Sequence, residues 1–133
     1  MKFIVASGPV IIEDGKLLVN HDEKDDFWKL PGGTVEKGDG LEEACIREAK
    51  EENNADVEII KPLNPMIIYK NPQTEKEMTI VLIHYLGKIK NKSELKPGAE
   101  IKEVKWLDIS EIKEDKHKVA PNIQFLIEKG DIK

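Results

Sequence analysis

The sequence predicts an α/β fold, a mixed β-sheet sandwiched between helices. Three observations carry that reading. Val- and Ile-rich runs bounded by Gly, Pro and Asp recur along the chain, as strands require. Leu41, Ala44, Cys45 and Ala49 recur at helical spacing within residues 41–53. A second helical run, 121–129, begins on Pro121 and closes the chain, so the sheet has one helix for each face.

Taken in order, residues 3–12 and 17–19 flank the turn Glu13-Asp14-Gly15-Lys16 and predict a β-hairpin. Residues 21–26 are a polar loop and 27–30 a short third strand, which Pro31-Gly32-Gly33 ends. Asp39, with Glu42 three residues on, has the form of a helix N-cap and capping-box acid ahead of the 41–53 helix. Strands follow at 57–60 and 65–69, interrupted by Pro62 and Pro65. Residues 78–86 are apolar on both faces, which predicts a central strand. Residues 88–98 form a polar loop, 104–107 a last strand, and 110–112 a helical turn.

Composition narrows the function. A chain of 133 residues fits one domain, spanning 1–133. Its 35% charged residues sum to −5, which argues against stable nucleic-acid binding through charge. The single cysteine, Cys45, excludes an internal disulfide and a cysteine-based zinc site, and its place on the helix's apolar stripe predicts a core residue. No apolar run reaches the ~18 residues of a membrane span. The first residues lack the apolar core of a secretion signal, so the expectation is a cytoplasmic protein with no membrane partner. A homodimer is left open.

The chemistry concentrates in one segment. Of 21 basic residues 20 are Lys, and the exception, Arg47, stands beside Glu48, Glu51 and Glu52. Those three carboxylates lie at i, i+3 and i+4, on one helix face, where like charges repel. A hard divalent cation among them reverses the sign, and oxygen ligands suit Mg²⁺ or Mn²⁺. Arg47, four residues before Glu51, can orient it through a planar fork that Lys lacks. Gly32-Gly33 just ahead lets backbone approach a ligand closely.

Residues 33–55 resemble the Nudix box: Gly, five residues, Glu, seven residues, Arg-Glu, an aliphatic, any residue, Glu-Glu, any residue, Gly, an aliphatic. Gly33, Arg47, Glu48, Ala49, Glu51 and Glu52 match it, while Asp39 replaces the first Glu and Asn54 the late Gly. Asn tolerates a left-handed helix end, so the turn should survive. The lead-in Trp28-Lys29-Leu30-Pro31-Gly32-Gly33 and the late stretch 104–112 also resemble the family's, so the likeness covers nearly the whole chain.

The resemblance implies the Nudix fold and Mg²⁺- or Mn²⁺-dependent hydrolysis of a diphosphate linkage in a nucleoside diphosphate joined to another moiety. It implies that Glu48, Glu51, Glu52 and the Gly32 carbonyl bind metal, and that Arg47 orients a glutamate. The family's base often comes from a loop outside the box. Here Glu100 is chosen over Glu94, with Glu48 the competing base. Gly32, Gly33 and Trp28 are the expected substrate contacts; Phe27 and Tyr69 could also stack on a base, and core packing is the alternative for all three aromatics. Substrate choice lies outside the box. A MutT-like nucleotide pyrophosphohydrolase is compatible, with ADP-ribose or dinucleoside polyphosphate hydrolysis as alternatives and a non-catalytic nucleotide-binding module as the reading of another class.

Overall fold

Val10 and Ile11 are neighbours in sequence yet pack into two different apolar clusters, because successive strand side chains point to opposite faces. Both belong to β1 (Phe3–Glu13). In β2 (Lys16–Asp22), Leu17 and Val19 join the first cluster and Leu18 the second. The first cluster also takes Ile109 and Ile112 from α2 (Ile109–Lys113) and Ile123 and Leu126 from α3 (Pro121–Glu128). The second takes Ala49 from α1 (Leu41–Asn53) and Val57 from β4 (Val57–Pro62). Each fully buried Leu, Ile or Val contributes about 1.5–3 kcal/mol. The sheet is therefore a sandwich filling, as the sequence predicts.

The computed structural model describes residues 2–133; Met1, the first residue of the expected domain, lies outside the described residues. The remaining strands are β3 (Gly33–Thr34), β5 (Met66–Lys70), β6 (Glu77–Ile89) and β7 (Ile101–Asp108). Their order is β4-β6-β1-β2-β7, with β3 paired to β1 and β5 to β6. β1 and β6 run parallel from Phe3↔Thr79 to Ile11↔Gly87, and the other pairs are antiparallel. β6 pairs with three strands, which explains its apolar content on both faces. Among the described residues no helix is long and apolar enough to cross a membrane.

Several expectations need correction. The hairpin pairs only at Ile12↔Leu17 and Glu13↔Lys16, while β2 pairs with β7 along its whole length, from Lys16↔Asp108 to Asp22↔Ile101. Residues 27–30 form no strand: Lys29 bridges Asn20 and Trp28 bridges Val119, one residue each. The strand lies instead at Gly33–Thr34, where the expected chain break pairs with Ala6 and Ser7. Asp39 does not cap α1; Gly40 holds that position without a side-chain bond, because the Asp39 carboxylate is drawn to Arg47. Ala44, Cys45 and Ala49 are buried as the helical spacing predicts, but Leu41 is left exposed.

Candidate active site

The site is built where backbone meets backbone. A Cβ on Gly8 would lie 1.9 Å from the Pro31 carbonyl oxygen, and one on Gly32 would lie 2.8 Å from the Ser7 carbonyl oxygen. Only glycines allow β1 and the 31–33 turn to approach this closely, and Gly32 also has φ +153°. Gly33 serves a second contact. A Cβ there would lie 2.5 Å from the Glu48 carboxylate, so the bare backbone leaves room for that side chain.

The helix that carries the carboxylates ends on Asn54, left-handed at φ 54°, with its N–H bonded to the Lys50 carbonyl. The expected turn is thus kept without glycine. Two turns earlier, Arg47 gathers the acids. Nη1 donates to Glu48 Oε1 at 3.0 Å and to both Glu51 oxygens at 3.4 Å. Nη2 donates to Asp39 Oδ2 at 2.8 Å and to the Thr34 carbonyl at 3.3 Å. The bond to Asp39 leads in raising the guanidinium pKa, with the nearby acids adding to it. The shorter acid at the box's first Glu position is therefore an Arg47 partner.

Glu52 points the other way. Its Oε1 accepts from the Gly32 N–H at 3.0 Å and from Asn20 Nδ2 at 3.2 Å. Burial pushes its carboxyl up to about 7, against the pull of the Gly32 N–H, Lys29 and Asn20. Burial also raises Glu48, opposed by Arg47. Among the described residues no three acidic, histidine or cysteine side chains converge as they stand on a point that could hold an ion. The reason is visible: the like-charged acids have each turned to a donor, two to Arg47 and one to Asn20 and Gly32. Glu51, 57% exposed, is free to swing back. The donor set still fits Mg²⁺ or Mn²⁺. It offers hard carboxylate oxygens, one of them desolvated and so favoured by a nearby cation.

The other side of the glycine turn walls a cavity of about 240 Å³ whose lining includes Gly32, Gly33, Phe27, Ile68, Leu82, His84 and Asn122. His84 Nδ1 donates to the Gly8 carbonyl at 3.1 Å, which fixes the tautomer, and Nε2 accepts from Asn122 Nδ2 at 3.0 Å. Burial holds the ring neutral, down to about 4. Trp28, expected at the substrate, lies outside this cavity. It packs against the first apolar cluster, 5.1 Å from the His21 ring, while its neighbours Phe27 and Lys29 face the cavity. Tyr69 is exposed and not part of that wall.

Glu100 faces an adjoining polar cavity that shares Lys29 and Gln73 with the first. Its loop is tied to the box helix, the Lys96 N–H donating to the Asn53 carbonyl and the Gly98 N–H to that of Glu52. Glu94 lies on the same loop and uses its backbone carbonyl to receive Asn54 Nδ2. Sequence reasoning missed Asn20, Asn53 and the Lys29 cage, in which Lys29 Nζ lies 2.7 Å from Asp22 and 3.2 Å from Asp25. Asn20 left one signal, a polar residue ending the apolar run Leu17-Leu18-Val19.

Comparison with known proteins bears on the family and the fold. A family model described as the NUDIX domain matches residues 2–126. The chain is 31% identical over 111 residues to an ADP-ribose pyrophosphatase of Methanocaldococcus jannaschii, a match covering 81% of this chain and 63% of that protein. It is 30% identical over 118 residues to an RNA pyrophosphohydrolase of Pelagibacter ubique, covering 77% and 74%. The solved MutT protein of Methanosarcina mazei Go1 superposes with a TM-score of 0.81 at 20% identity, covering 98% and 94%. The chain belongs to the NUDIX family.

Proposed function

We propose that this chain, a single domain over 1–133, hydrolyses the diphosphate linkage of a nucleoside diphosphate joined to another moiety, with Mg²⁺ or Mn²⁺ as its cofactor. One observation carries the reading. The Gly32–Gly33 turn has Glu48 and Glu52 on one side and the apolar cavity on the other. A nucleoside seated in that cavity puts its phosphates at the carboxylates. The relatives' names, ADP-ribose pyrophosphatase and RNA pyrophosphohydrolase, support the same bond chemistry.

The roles follow from placement. Glu48, Glu51, Glu52 and the Gly32 carbonyl would hold the ion, which when bound neutralises phosphate oxygens and acidifies water. Arg47 keeps Glu48 and Glu51 aligned. Glu100, on the loop tied to the box helix, takes the proton from the attacking water, with Glu48 as its rival. Gly32 and Gly33 pass the phosphates, and Phe27 stacks in the role expected of Trp28. The substrate is a free nucleotide-type small molecule and not a nucleic-acid strand, in keeping with the −5 charge. The setting is cytoplasmic, and a homodimer would cover the exposed Phe3, Ile67 and Tyr69.

The test is chromatographic detection of the two phosphorylated products, a nucleotide and its partner fragment or pyrophosphate, from nucleoside triphosphates, nucleotide sugars, ADP-ribose and dinucleoside polyphosphates, with Mg²⁺ or with EDTA. Glu100→Gln and Glu48→Gln are assayed beside the wild type. Mg²⁺-dependent turnover of one class is expected. Glu100→Gln should lose about 10²–10⁴-fold while keeping its Mg²⁺ dependence. Binding without turnover across the panel would make the chain a nucleotide-binding module, and full activity in EDTA would remove the metal.

A further inference from the structure

Asn20 and Asn53 are both fully buried, an expensive place for two amides unless each is satisfied. They satisfy each other. Asn53 Nδ2 donates to Asn20 Oδ1, and Asn20 Nδ2 faces Asn53 Oδ1 at 3.3 Å. This reciprocal pair fixes which way the Asn20 amide is turned. With Oδ1 occupied, Nδ2 must point to Glu52 Oε1, which it meets at 3.2 Å. Strand alternation placed it there: Asn20 lies two residues after Leu18, on the face that carries α1.

We infer that Asn20 is a positioning residue for Glu52: the Asn20–Asn53 pair and the Gly32 N–H pin one carboxylate oxygen and leave the other for the ion. The inference rests on the metal reading above and deepens it. The contrast with Arg47 supplies the reason. Glu48 and Glu51 are held by a cation, which an incoming ion must compete with. Among the described residues Glu52 is hydrogen-bonded by neutral donors alone, so an incoming ion displaces no cation from it while its freedom to rotate is already lost. Neutral partners that orient a ligating carboxylate typically change metal affinity 10–100-fold when removed.

The experiment is a Mn²⁺ titration by electron paramagnetic resonance without substrate, on wild type, Asn20→Ala, Asn53→Ala, Glu52→Gln and the Asn20→Ala/Glu52→Gln double variant. Melting temperatures are recorded in parallel. Asn20→Ala should weaken Mn²⁺ about 10-fold, Asn53→Ala less, and Asn20→Ala should add nothing once Glu52 is Gln. Should Asn20→Ala fold poorly, Asn53→Ala reads the same effect from outside the strand. A lowered melting temperature with wild-type Mn²⁺ affinity in both Asn variants would make the pair merely structural and overturn the inference. If Glu52→Gln itself bound Mn²⁺ normally, the failure would lie with the metal reading instead.

Discussion

Gly8→Ala is the smallest change that should disturb the whole site, because it acts where two backbones touch. The added Cβ would lie 1.9 Å from the Pro31 carbonyl oxygen and 2.7 Å from Gly32 Cα. Restoring an ordinary carbon–oxygen contact needs a retreat of roughly 1.5 Å, and neither neighbour is a flexible side-chain end that could turn aside. Half that retreat takes the Gly32 N–H, now 3.0 Å from Glu52 Oε1, beyond hydrogen-bond range. Overpacking costs about 1–3 kcal/mol and the lost charge-assisted bond about 1.5–3 kcal/mol. A net loss near 3 kcal/mol lowers the melting temperature of a chain this size by about 10 °C. Differential scanning fluorimetry reads that shift, and a Mn²⁺ titration of the same protein reads the displaced Glu52. An unchanged melting temperature together with unchanged Mn²⁺ affinity would refute the reasoning.

Two further outcomes follow from single groups. Arg47→Lys should fold yet lose about 10–100-fold in turnover. One ammonium cannot reach Glu48 and Glu51 with one arm and Asp39 and Thr34 with the other; wild-type kinetics would return Arg47 to surface charge. His84 is neutral in the fold, near 4, against about 6.5 when unfolded, so its contribution is complete above pH 6.5 and is lost as pH falls towards 4. The full loss is about 3 kcal/mol. Glu52, raised to about 7, works in the opposite direction over the same range, so the readout is the difference in urea stability between wild type and His84→Gln at pH 7 and pH 4.5. Equal differences at both pH values would show that His84 does not titrate with folding.

What the sequence made legible was local. The α1 boundaries, the buried stripe of Ala44, Cys45 and Ala49, and the left-handed Asn54 follow from spacing and from the chemistry of one residue. The β1–β2 turn was equally legible, but the extent of pairing was not. Leu17-Leu18-Val19 satisfies any partner on either side, so nothing local says that β2 pairs with β1 over only two residue pairs and with β7 along its whole length. The same limit explains Gly33–Thr34. Two residues carry no period, and only the glycine-to-backbone packing at Gly8 lays them along β1 as a strand.

The candidate site divides along the same line, and unevenly. Arg47, Glu48, Glu51 and Glu52 share one helix, so their relation is written in intervals of one, three and four residues. The groups that decide how they are held come from elsewhere: Asp39 from the preceding loop, Gly32 from the turn and Asn20 from β2. Asp39 shows how local reasoning errs. An Asp just before a helix is a good cap by every nearby criterion, yet a guanidinium 2.8 Å away is a stronger partner than a backbone N–H, and Gly40 is left to begin the helix uncapped. Trp28 errs for a complementary reason. Its ring is suited to a base, but Lys29 pairs with Asn20 and Trp28 with Val119, and those two bridges turn Phe27 to the cavity and Trp28 to the core. Residue type set what each side chain could do; pairing between distant segments set which of them faces the cavity.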